Sequence, residues 1–522
     1  MKNELLHKLP CDLRPPIEEE LQRLEKENHR LALENKCLHE RVRLMMIEKY
    51  GPKSEQLTDA QLQLLESEPG VCSAEVETEA QRSEEEKAQA AKLQRQSHPG
   101  RNGFPAHLPR VEKIVPCTAE QCQCPQCQKT MPVMGYDISE ELDVVPAKYF
   151  VNVIKKEKRA CPDCPEMGVS TAQTEPKPID KCKVSIRVIV EVIISKYCNH
   201  VPHFRLEGIF AREEGIDLSR ATMCGWTMQI GTWLTFISGA MREELLSGTF
   251  IQADETTVGV QSEQTKGRNH LGFLWEYSRP NGPVIFDFQM GRGREGPKKF
   301  LRQFNGFLQC DGYGAYDCIG GPGIRYAGCM AHARRGFVDA LKLEPGNTEA
   351  IFIVAEMAKL YAVEKEAREG KLTHSEREAL RKLRSVPVLA TLKERITALN
   401  AKHPPKTPFG KACRYALGQW ERLSVFAKHG EVEIDNNWCE NAMRPIALGR
   451  KNWLHIGSEE AGPRVAAIIS VVETCRRLGI NVRDYLMDVL PLIPSWPANR
   501  IAELTPTAWA ARQAAAKSVP AA

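Results

Sequence analysis

A chain of 522 residues exceeds what one ordinary core accommodates, and a composition 42% hydrophobic and 26% charged is that of a globular protein of roughly three or four units. A formal net charge of +4 is close to neutral at this size, so a hold on nucleic acid has to come from local basic patches and not from global attraction. The opening MKNELLHKLP lacks the apolar core of a signal peptide, the run VIVEVIIS falls well short of the about 18 apolar residues of a membrane span, and eighteen cysteines without an export signal argue for reduced thiols or metal over a disulfide framework. These features predict a cytoplasmic chain with no membrane partner.

From Ile17 to Met45 the core positions recur with period 3.5. Ile17, Leu21, Leu24, Leu31, Leu38, Val42 and Met45 keep one register, and Asn28 and Asn35 fall at the position shared by Leu21 and Val42. Buried Asn there fixes register and favours two strands. The prediction is a coiled coil within an N-terminal region spanning 1–65 and a homodimer formed through it. Residues 66–110, polar and Glu-rich at first, read as a flexible linker.

Cys124 and Cys127 form one CxxC, in CQCPQCQK, and Cys161 and Cys164 a second, in RACPDCPE. Two such turns separated by strand-like sequence predict a zinc ribbon over 111–180, with Cys117, Cys122 and Cys182 as spare thiols. Four thiolates leave no open position, so this Zn²⁺ would be structural. Over 181–246, HFRLEGIFAREEGIDLSRATMCGWTMQIG reads as a helix, a tight turn at Gly215, Ser219 as N-cap and a second helix. This helix-turn-helix-like pattern puts Arg220 where it could reach DNA, although a plain helical hairpin fits the same residues.

The texture changes near 247. GTFIQADETTVGV, HLGFLWEYSRP and PVIFDFQMG predict three hairpin-linked strands, GFLQCDGYGAYD a fourth, and CMAHARRGFVDALKL a strand end running into a helix, a mixed α/β unit over 247–490. Asp254 is expected at the end of the first strand and Asp311 at the end of the fourth. Glu276 and Asp287 are rivals in mid-strand, read as outward-facing. Asp435 is the expected N-cap of the helix that carries Glu440 and, one turn on, Arg444; Pro445 is expected to end or kink it. Three carboxylates from two strands and a helix could share two divalent ions, and oxygen ligands suit Mg²⁺ or Mn²⁺. Arg444, Arg450 and Lys451 would hold DNA phosphates, and His332, Arg334 and Arg335 could touch DNA from a helix start. Between Asp311 and Glu440, residues 345–430 are rich in Ala, Lys, Glu, Leu and Arg at helical spacing and predict a helical insertion.

ADET (253–256), QCDGYGAY (309–316), CMAHARRGF (329–337), EIDNN with EN, and RPIALGRKNWL resemble, in content and order, the transposases of the insertion sequence 66 group. The zipper followed by YGPKSEQL, the paired CxxC, KYCNHVPHFRLEGIFAREEGIDLSR and the tail RIAELTPTAWA, within 491–522, extend the resemblance over most of the chain. It implies a ribonuclease-H-like catalytic core with an Asp-Asp-Glu triad at Asp254, Asp311 and Glu440. It also implies a zinc unit and a zipper linked to DNA binding and assembly, and small accessory proteins. The implied chemistry is cleavage of transposon ends by water, then attack of the freed 3′-hydroxyl on target DNA. Asn441, His455, Met330, the lost glycine in EEAGPR and the first CxxC without trailing glycines depart from the family pattern, and none of them removes a ligand. Two other readings use the same residues: a non-catalytic zinc and zipper DNA-binding regulator, and a nuclease that cuts without joining.

Overall fold

The computed structural model describes residues 149–160, 169–172, 177–180, 182–262 and 268–518, with positions 15, 20–28, 30, 31, 35 and 38 near the start. Residues 20–28 are helical, and Leu24, Leu31 and Leu38 of the predicted heptad core are exposed. The rest of the heptad run, the 66–110 linker and the cysteines Cys124, Cys127, Cys161 and Cys164 lie outside the described residues. The chain divides into two units, one of them spanning 83–172. Within that unit, β1 (Lys158–Ala160) and β2 (Val169–Thr171) pair antiparallel, with Ala160 opposite Val169.

The larger unit begins with α1 (Ile186–Tyr197), α2 (His203–Glu214) and α3 (Arg220–Leu246). The local signals between α2 and α3 act as expected. Gly215 takes φ +65°, which lets the Ile216 N–H close back on Phe210 O at 3.0 Å, a left-handed glycine ending. Ser219 Oγ accepts from Thr222 N at 3.2 Å as N-cap. Beyond its first turn α3 is a core helix, with Ile230, Leu234, Ile237, Met241 and Leu245 buried.

Next come β3 (Phe250–Val260), β4 (His270–Ser278), β5 (Val284–Gln289), α4 (Glu295–Leu301), β6 (Phe307–Gln309) and β7 (Arg325–Ala327). The sheet order is β5-β4-β3-β6-β7; the first three strands are antiparallel, and β6 and β7 run parallel to β3. β3 is longer than expected. It stays paired with β4 as far as Val260, so Asp254 lies in mid-strand and not at an end. What stops beside Asp254 is its other neighbour: β6 pairs only with 250–252 and β8 (His455–Ile456) only with 259–260. That edge of β3 is therefore open between the two, and the opening does what a strand end was expected to do.

Then follow α5 (Met330–Leu343), α6 (Thr348–Glu369), α7 (His374–Lys402), α8 (Pro408–Gly418), α9 (Asn437–Trp453), α10 (Gly462–Arg477), α11 (Val482–Val489) and α12 (Pro506–Ser518). Most of 345–430 is thus helix. Its buried residues, among them Ile353, Met357, Leu392 and Ile396, cluster with Phe250 and Phe307 of the sheet. α10 protects the outer edge of β5: Ser470 and Thr474 hydroxyls accept from Phe286 N and Val284 N at 2.8 and 2.9 Å. α1–α3 share a second apolar cluster with β3–β5 and α10.

Pro445 does not end α9, which runs on for two further turns. A proline inside a helix frees the carbonyl four residues back. Here that carbonyl is Asn441 O, and Arg476 of α10 donates to it at 3.4 Å. The compensation comes from a residue that only tertiary packing brings near.

Candidate active site

In β3 and β6, Gln252 stands opposite Gln309 in a parallel register. Two residues further on each strand come Asp254 and Asp311, and the two-residue period of a strand returns them to the face and neighbourhood of the glutamines. The glutamines show which way that face points: Gln252 Nε2 donates to Gln309 Oε1 at 2.8 Å and to Asp435 O at 2.7 Å. The segment 433–436 and α9 therefore cover this face, and α9 carries Glu440 across it.

Asp254 lies within electrostatic reach of both Glu440 and Asp311 there. Asp254 is half-buried, and burial followed by the Glu440 carboxylate holds its carboxyl well above the usual range, with Glu255 and Asp311 adding to the effect. Its Oδ1 accepts from Glu255 N at 2.8 Å. Asp311 Oδ1 accepts from Tyr313 N at 2.8 Å, Gly312 takes φ +91° to make the turn, and Tyr415 donates to Asp311 O at 2.5 Å. Glu440 has His332 Nδ1 and Arg335 Nη2 each at 3.5 Å. Its Oε1 is buried without a hydrogen bond.

Among the described residues, the ligand atoms that lie within 4.8 Å of one another are those of Cys329, His332 and Glu440, not those of the carboxylate triad. A two-ion centre does not require the tighter grouping. Asp254 is the acid that feels the charges of both Glu440 and Asp311.

The basic candidates divide. Arg335, Arg444 and Lys451 are exposed, and Arg335 is beside Glu440. Arg220 is exposed at the start of α3, its N–H donating to Glu207 and its guanidinium 5.7 Å from the Phe204 ring centre. Arg334 is half-buried near Tyr361. Arg450 is engaged within the fold: it donates to Thr256 Oγ1 at 2.9 Å and to Thr257 O, tying the end of α9 to β3.

Of the rivals, Asp287 stands opposite Trp275, one residue out of step with the Asp254–Glu276 pair, and so on the other face of the sheet. Glu276 corrects an expectation. It is fully buried, not outward-facing, because it stands directly opposite Asp254 under α9 and meets Cys439. Burial pushes its carboxyl up to about 7, against the pull of Arg477 4.0 Å away. A carboxyl raised by folding stabilises fully below the ordinary carboxylate range, and that contribution is lost as pH rises through about 7. Glu276→Gln should therefore flatten the fall of the thermal midpoint between about pH 5 and 8. An unchanged slope would mean that Glu276 stays ionised throughout.

Sequence reasoning missed Gln252 and Gln309. The signal was present: QAD and QCD repeat the same Gln-x-Asp at both aspartates, a spacing that puts amide and acid on one strand face.

The profile described as "Transposase IS66 family" matches residues 181–464, more than half of the chain and all the elements just described as far as the start of α10. The chain belongs to this family. Its zinc-finger binding domain matches 121–165, which includes both CxxC pairs and supports structural zinc. "Transposase C of IS166 homeodomain" matches 37–112, beginning inside the heptad run, and the family's C-terminal element matches 470–507. Two relatives from Sinorhizobium fredii (strain NBRC 101917 / NGR234) are each 32% identical. "Uncharacterized protein y4jD" aligns over 80% of this chain and 84% of its own, and "Uncharacterized protein y4qI" over 88% and 86%. No helix among the described residues is long and apolar enough to cross a membrane.

Proposed function

We propose that the chain is a DNA transposase that cuts transposon ends and joins them to target DNA on a ribonuclease-H-like core, with Asp254, Asp311 and Glu440 as ligands of two Mg²⁺ or Mn²⁺ ions. What supports this reading is the register that sets Asp254 and Asp311 on one face at the open edge of β3, with Asp254 pushed up by burial and by the Glu440 carboxylate. A bound cation would relieve the repulsion that Asp254 feels from Glu440 and Asp311. The donor set is all oxygen, which suits Mg²⁺, and Glu440 Oε1 has no hydrogen bond of its own. When bound, the ions would activate an attacking water or 3′-hydroxyl and neutralise charge on the leaving oxygen. The mixed sheet order, three antiparallel strands followed by two parallel ones, supports the core assignment.

The protein's own groups do the rest. Tyr313 N–H and Tyr415 fix the Asp311 turn, and Arg450 anchors α9 on β3. Arg335, Arg444 and Lys451 would hold backbone phosphates, a contact that weakens as salt rises. The heptad leucines, left exposed by the described residues, would pair two copies. A regulator built on the same N-terminal features would need no divalent ion. Purified protein should therefore convert labelled end DNA into joined products with Mg²⁺ and give none after chelation. Cut but unjoined ends would instead identify a nuclease, and products formed in chelator would defeat the metal reading.

A further inference from the structure

We infer that Gln252 and Gln309 are positioning residues that seat Glu440 over Asp254 and Asp311, so that this buried pair of amides governs how tightly the acidic cluster holds divalent cations. The inference rests on the proposed triad and adds to it.

Both side chains are fully buried. Their four amide N–H groups are all used. Gln252 Nε2 donates to Gln309 Oε1 and Asp435 O, at 2.8 and 2.7 Å, and Gln309 Nε2 donates to Gly328 O and Glu433 O, at 2.9 and 2.7 Å. Reversing either amide would set oxygen against carbonyl oxygen, so the orientation is fixed by its partners. The targets are informative. Gly328 precedes α5, which carries His332 and Arg335, the two groups beside Glu440. Glu433 and Asp435 precede α9, which carries Glu440 in its first turn. The two amides thus staple both helices around Glu440 to the two strands that carry the aspartates, each from a point two residues before its aspartate.

A metal centre tolerates only a few tenths of an ångström in its ligand distances, and groups that orient ligands without touching the ion typically change affinity about 10–100-fold when removed. A purely structural amide pair would lower stability and leave cation affinity alone. That difference is measurable. Free Mn²⁺ can be counted by electron paramagnetic resonance during titration of the full chain bound to end DNA, with folding followed by circular dichroism and DNA affinity measured separately. Gln309→Met, which removes both donors to 328 and 433, should stay bound to DNA as the wild type does yet hold Mn²⁺ about tenfold or more weaker. A folded Gln309→Met with wild-type Mn²⁺ affinity overturns the inference. If that variant does not fold, Gln252→Asn, an amide one methylene too short for Asp435 O, decides by the same criterion. Asp311→Asn separates the two levels of the argument. Undiminished Mn²⁺ binding there removes the triad itself, whereas weakened binding in Asp311→Asn alone leaves the triad and removes the positioning role.

Discussion

Asp311→Asn should reduce strand transfer by about a thousandfold or more while the protein still binds its end DNA. The size follows from losing one anionic ligand of the proposed two-ion centre, several kcal/mol of transition-state stabilisation, of which about 4 kcal/mol is a thousandfold. The substitution is conservative for everything else. Asn keeps an oxygen to accept from Tyr313 N, now 2.8 Å from Asp311 Oδ1, and Tyr415 holds the backbone carbonyl, which the change does not alter. Gly312 at φ +91° still makes the turn. Removing a negative charge beside phosphates gives DNA no reason to leave. Wild type and variant compared in a strand-transfer assay, with a gel-shift control, decide the matter. Joined product within about tenfold of wild type would end the assignment of Asp311 as a metal ligand.

Arg377→Met should cost about 3–5 kcal/mol of folding stability, the largest loss expected from one side chain here. Arg377 of α7 is buried and bridges two glutamates. It donates to Glu364 at 3.0 and 2.6 Å, and to both oxygens of Glu433 at 2.7 Å. Glu364 would keep Arg381, which reaches it at 2.7 and 2.8 Å. Glu433 is the vulnerable member of the network: it is buried, it has Arg377 as its ion-pair partner among the described residues, and breaking a buried pair strands a charge in low dielectric. Urea unfolding followed by tryptophan fluorescence measures the loss. A drop under about 1 kcal/mol would mean that water reaches Glu433 and solvates it. The helical insertion and the site are joined at this point, because Glu433 O also receives Gln309. Activity of Arg377→Met should therefore fall further than its folded fraction does.

Much of this molecule is written locally. The hairpins β3–β5 follow from β-rich runs bounded by turn residues, the ending of α2 from Gly215, and the start of α3 from Ser219. The two aspartates and the glutamate were visible as acids beside small residues or on an amphipathic helix, and their identity in a family motif supplied the grouping. Register, capping and period act over a few residues, so a sequence can be read for them directly.

The sequence by itself determined which segments are strands and helices and which acids were candidates. Tertiary structure decided the rest. Only the parallel pairing of β6 with β3, across a gap that includes two other strands, sets Asp311 beside Asp254. Only the packing of α9 on that face buries Glu276, brings Arg476 to the carbonyl freed by Pro445 and engages Arg450 with Thr256. The physical reason is common to all of these. Burial and long-range pairing depend on what covers a residue, and the covering element here is about 180 residues away in the chain.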